Sequence, residues 1–147
     1  PLKDCVCSST AILKYKKKIS GPMLDRIDLH VETPNVEYEK LEGKEGEPSL
    51  EIKKRIEAAR QIQQERFKTI DKKTNAAMSL PELKQFIKVR EGLRPTLKLI
   101  HEQHKLSARG YHKVLKISRT IADLAASPEI EKDHILEALR YRPTMEL

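Results

Sequence analysis

From residue 49 onward the apolar positions recur every three or four residues, the spacing that puts them on one face of an α-helix. Ile52, Ile56, Ala59, Gln63 and Phe67 share such a face, with Ser49 placed as its cap. Asp71–Met78 reads as a polar connection. Ser79-Leu80-Pro81-Glu82 then opens another helix, Ser79 as cap and Glu82 reaching back in a capping box, with Leu83, Phe86 and Ile87 inward. Gly92 interrupts the pattern, and Pro95 begins a helix carrying Leu97, Ile100 and His104. Ser107 caps the next, which runs to about Ala126. Its apolar residues fall on two adjoining stripes, Leu115, Ala122 and Ala125 on one and Val114, Ile117, Ile121 and Leu124 on the other. A stripe that wide predicts a central helix. Ser127-Pro128 ends it, and Ile130–Tyr141 closes the pattern with Ile135, Ala138 and Leu139 inward.

The first third of the chain reads differently. Ser8–Lys18 is a short helix with Ile12 and Tyr15 on one face, broken at Ser20-Gly21-Pro22. Pro22 suits the first turn of a second short helix, Met23–Arg26. Ile27–Glu32 alternates, with Ile27, Leu29 and Val31 on one side and Asp28, His30 and Glu32 on the other. That predicts a half-buried strand, and a lone strand needs a sheet that the rest of the chain does not supply. Thr33–Ser49, with Pro34, Gly43, Gly46, Pro48 and repeated Glu, reads as a linker or loop. The fold class expected is mainly α. Residues 1–33 would end an α/β core that is cut short, 34–48 would be an acidic linker, and 49–147 a helical bundle.

Charge sharpens this division. The chain has 147 residues and a formal net charge of +7. Residues 1–31 carry six Lys/Arg against three acids, 32–49 two against six, and 50–147 twenty-one against thirteen. A basic surplus suits phosphate-bearing partners, although a solvated lysine-rich surface gives the same balance. With no Trp, two Phe and four Tyr, an aromatic platform for stacking bases is not expected. No apolar run approaches the roughly 20 residues of a membrane span, and no signal peptide is recognisable, so a cytoplasmic location without membrane contact is expected.

Three stretches carry a resemblance: Lys17–Glu32 (KKISGPMLDRIDLHVE), Thr74–Met78 (TNAAM) and Leu106–Leu124 (LSARGYHKVLKISRTIADL), supported by Asp133–Arg142 (DHILEALRYR). Together they resemble the end of the ATPase core and the helical lid of the Mg-chelatase-like, ComM-type AAA+ proteins. The resemblance implies a homo-oligomeric ring, usually of six subunits, with ATP and Mg between neighbours and DNA as the substrate in branch migration. A tetrapyrrole metal-chelatase motor and a free-standing helical DNA-binding module are the alternatives. The phosphate loop that such an ATPase needs would lie before Pro1, since no Gly-x-x-x-x-Gly-Lys-Ser/Thr pattern occurs in the chain. The chain by itself is therefore expected to be inactive.

The resemblance also assigns roles. Arg26, in Leu-Asp-Arg, would be the finger that reaches a neighbour's γ-phosphate, where a fixed planar cation stabilises the charge of phosphoryl transfer. Composition alone reads it as a local ion pair with Asp25 or Asp28. Arg109, just after the cap Ser107, would be the second sensor, contacting the γ-phosphate of its own subunit; the plain reading is an exposed basic residue. Arg119 is read as a structural or surface partner of Asp123, four residues on. Cys5 and Cys7 resemble half of a four-thiolate zinc site, whose other half would lie upstream. No zinc, ATP or Mg is expected on this chain alone. His101-Glu102-Gln103-His104 is one residue short of the metalloprotease spacing and reads as surface and half-buried histidines. The Lys14–Lys18 cluster reads as either a phosphate contact or a solvated face.

Overall fold

The computed structural model describes residues 6–36, 43 and 46–142, and these divide between two compact units. The first comprises Pro1–Lys44 with Tyr141–Leu147, and the second Glu45–Arg140.

In the first unit, α1 (Ser9–Lys16) is capped by Ser8, whose hydroxyl accepts from the Ala11 N–H at 3.3 Å. The short α2 (Gly21–Leu24) carries Pro22 in its opening turn, where a missing N–H leaves nothing unpaired. The strand expected over Ile27–Glu32 does not form. The backbone from Asp28 to Val36 has no regular hydrogen-bonded structure, and Ile27, Leu29 and Val31 lie exposed. A strand's N–H and C=O groups need a partner edge, and among the described residues this stretch finds one bond of that kind, His30 N–H to Tyr141 C=O at 2.8 Å.

The second unit is all helical. It contains α3 (Ser49–Phe67), a 3-10 turn (Asn75–Ala77), α4 (Leu80–Phe86), α5 (Arg94–Gln103), α6 (Ala108–Leu124) and α7 (Lys132–Arg140). The central helix is α6: it packs against α7, α3, α4 and the 3-10 turn. Val114, Leu115 and Ala122 of α6 meet Leu97 and Ile100 of α5 and Ile135 and Ala138 of α7 in one buried cluster. Ala59 and Phe67 of α3 and Met78 are buried as well, and Phe67 meets Phe86 edge-on at 5.5 Å. A parallel bridge, Val89 to Ile130, ties the α4–α5 connection to the approach to α7.

Helix ends follow local chemistry. Gly110 N–H donates to the Ser107 hydroxyl at 3.0 Å, closing the start of α6. The Glu82 carboxylate accepts from the Ser79 N–H at 2.6 Å and the Ser79 hydroxyl at 2.8 Å, as the capping box predicts. These bonds hold its pKa below the ordinary carboxylate value. Ser49 corrects its expected role: α3 begins at Ser49 itself, capped by Pro48 with no side-chain bond. The two stripes of α6 are also narrower than read, because Leu124 and Ala125 at its end are exposed. There the chain turns through Ala126 in the left-handed region (φ 52), and Ser127 N–H returns to Ala122 C=O at 2.8 Å, the usual way a helix satisfies its last carbonyls.

Candidate functional site

Arg109 stands in the first turn of α6 and is exposed. The first N–H groups of a helix have no partner within it and carry the positive end of its dipole, so a cation placed there adds to a field that favours anions. What distinguishes α6 from other helix starts is how firmly it is held. Its middle is the core of the unit, and its end is fixed by a buried ionic network that pattern reading did not find.

Asp123 is the hub of that network. Its carboxylate accepts from Arg66 Nη1 at 2.8 Å, with a second, shorter bond from Arg66 Nη2, and from Asn75 Nδ2 at 2.7 Å. Arg119 Nε reaches it at 3.0 Å, and Gln63 Nε2 at 3.3 Å. Asn75 also accepts from Arg66 Nη1 at 2.7 Å and donates to Thr120 at 3.1 Å. Arg119 spends its other nitrogens on the carbonyls of Pro128, at 2.9 Å, and Ser127. The Arg119–Asp123 pairing read from the i,i+4 spacing is therefore present, but it is fully buried.

The electrostatics follow from this packing. Burial pushes the Asp123 carboxyl up, yet the bonds from Arg66 and Asn75 and the charges of Arg119 and Arg66 outweigh it, so its pKa lies below the usual carboxylate value. Burial lowers the pKa of Arg119; Asp123 opposes this, while the like charge of Arg66 adds to it. The two shifts have different origins. One carboxylate has several donors, whereas the two guanidinium groups share one carboxylate. The pattern of stripes along α6 could not reveal this, because Arg66 and Asn75 lie 57 and 48 positions from Asp123. The one local signal was that Gln63 falls on the apolar face of α3.

The other expected site residues divide between the units. Arg26 and Cys7 belong to the first, Arg109 to the second. Arg26 is exposed just beyond α2, and its Nη1 donates to Pro22 C=O at 3.1 Å. Its neighbour Asp25 faces Arg142 at 3.7 Å. Cys7 is exposed, and Cys5 lies outside the described residues. Among the described residues no three His, Cys, Asp or Glu side chains gather in a way that could hold a metal ion. His101 and His104 are both exposed, and His101 meets the Tyr111 ring edge-on at 6.0 Å. Lys14, Lys16, Lys17 and Lys18 are exposed, with Lys18 over the Tyr15 ring at 5.4 Å. No described helix is long and apolar enough to cross a membrane.

Residues 46–142 match the family described as magnesium chelatase, subunit ChlI C-terminal, and residues 1–41 match magnesium chelatase, subunit ChlI. The chain is 36% identical over 142 residues to the competence protein ComM of Haemophilus influenzae, a match covering 95% of this chain and 27% of that protein. It is 38% identical over 140 residues to the uncharacterised protein YifB of Escherichia coli, covering 92% and 26%. An uncharacterised protein of Mycobacterium tuberculosis is 29% identical over 142 residues, covering 97% and 28%. The chain thus spans about a quarter of the length of these relatives.

Proposed function

This chain belongs to the magnesium chelatase ChlI C-terminal family, and we propose that it supplies the lid and two γ-phosphate arginines of a ComM-type AAA+ ATPase subunit. The observation that carries this reading is Arg109, exposed on the first turn of a capped helix whose core and far end are both locked. A guanidinium on so rigid a mount fits a phosphate anion, and movement of the helix would carry it toward or away from bound ATP. Arg26, exposed beyond α2, acts across the subunit boundary on the neighbour's nucleotide. Besides these arginines, ATP and Mg are held by residues that this chain does not contain, in a cytoplasmic homo-oligomeric ring of six subunits. The relative named as a competence protein supports DNA as what the ring remodels, by branch migration during recombination.

Zinc fits less well. Two thiols, one of them exposed, make half of a closed four-thiolate site, so Cys5 and Cys7 would hold the metal only together with a second pair from elsewhere in the protein.

The test is ATP hydrolysis by the full-length protein. Arg26→Ala is expected to lower turnover by roughly a thousandfold, the usual worth of an arginine finger, while leaving nucleotide binding and assembly intact. Arg109→Ala is expected to lower both turnover and nucleotide affinity. Unchanged turnover in an assembled Arg26→Ala ring overturns the finger, and unchanged turnover and affinity in Arg109→Ala overturn the sensor. A second reading, a motor for inserting metal into a tetrapyrrole, is favoured by the family's own description. Stimulation of hydrolysis by branched DNA selects the first reading, and stimulation by tetrapyrrole together with its chelatase partner selects the second.

A further inference from the structure

The second unit carries a groove of about 610 Å³ between α4, α5 and the first half of α6, away from the Asp123 network and not lined by Arg109. Its floor is apolar: Leu83, Leu97 and Leu115 are buried there, and Ile87 is half-buried. The polar groups stand around the edge. Lys84 comes from α4, and Arg94 and Lys98, one helical turn apart, from α5; all three are exposed. His101 and His112 complete the rim, and no carboxylate lines the groove. Glu102 faces Lys98 at 3.9 Å, an exposed pair that solvent screens.

We infer that this groove is a docking site for an acidic amphipathic helix of a partner protein. The arrangement selects that chemistry. A phosphate or nucleotide needs donors converging on its charge, whereas here the centre is greasy and the cations lie outside it. A ligand that fits must offer apolar groups in the middle and negative charge along its flanks, as a helix does when it lays one face into a groove. The volume is that of an ordinary ligand cleft, enough for two or three anchoring side chains. Rim cations would then steer and orient the helix, and the floor would supply the affinity. The inference stands apart from the roles of Arg26 and Arg109.

The experiment uses the full 147-residue chain and three fluorescent probes. One is a synthetic helical peptide with leucines at i, i+3, i+4 and i+7 flanked by glutamates, the second its scrambled isomer, and the third a single-stranded oligo-dT. Anisotropy is expected to show the amphipathic peptide binding at least about tenfold more tightly than the scramble, a difference of about 1.4 kcal/mol. The exposed-residue double variant Lys84→Glu/Lys98→Glu should bind the amphipathic peptide at least about tenfold more weakly while keeping its helical circular dichroism. Amide shifts of the bound chain should centre on Tyr111 and His112. Equal binding of both peptides, no binding of either, or rim reversal that weakens only the oligonucleotide overturns the inference.

Discussion

Asp123 shows how much one side chain can decide. Its side chain has no exposed surface, and among the described residues it pairs with both Arg66 and Arg119. Breaking a buried pair by removing one partner leaves an uncompensated charge and costs about 3–5 kcal/mol. Asp123→Ala is accordingly expected to lower the stability of the second unit by about that amount in urea denaturation. Asp123→Asn keeps the shape and some hydrogen bonds but leaves both guanidinium groups without an anion, and should fall between the two. The pH dependence has a definite sign. Because the folded carboxyl has a pKa below its unfolded value of 3.8, its contribution is complete above that value and is lost as pH falls through the folded pKa. Melting temperatures followed from pH 5 downward should drop more steeply in the wild type than in Asp123→Asn. Equal slopes would mean that Asp123 is not the acid-sensitive group.

At the scale of the helices, caps separate what local sequence can specify from what it cannot. Ser107 and Ser49 read alike as serines ahead of an apolar face. Ser107 receives Gly110 N–H at 3.0 Å, and its helix start is part of the packed unit. Ser49 lies inside the first turn of α3, whose first ten residues are all exposed, Ala59 being the first buried one. Ser107→Ala should therefore cost about 1 kcal/mol, the ordinary worth of a cap, and Ser49→Ala close to nothing; equal effects in thermal denaturation would contradict this. Pattern reading placed every helix of the second unit because each has its own period and its own stop. It failed where the deciding partner is distant. Nothing near Asp123 announces Arg66, and nothing near Leu124 says that the packed face of α6 ends before it. The roles proposed for Arg26 and Arg109 come only through resemblance to a family, since an exposed arginine has no period to betray it.

For the molecule as a whole, the two units differ in what holds them. The second has a connected apolar cluster built around α6. Within residues 6–36 of the first, no residue is buried, so its helices rest on local bonds, which in water support short helices weakly. The Ile27–Val31 alternation explains both the failed expectation and what would reverse it. Its residues have the period of a strand, but backbone groups without an edge to pair with gain nothing from being extended. Amide exchange should make this visible. The N–H groups of Val114, Leu115 and Ala122 should open only with global unfolding, while those of Asp28, Leu29 and Val31 exchange near the rate of an unfolded chain. His30, bonded to Tyr141 C=O at 2.8 Å, should stand out from them as slower. In a longer protein that offers a sheet edge, protection should spread to alternate residues on either side of His30, the signature of a paired strand. Protection that stays confined to His30 there would show that the alternation serves some other contact. A stretch already uniformly protected in this chain would mean that it has found a partner the hydrogen bonds seen here do not include.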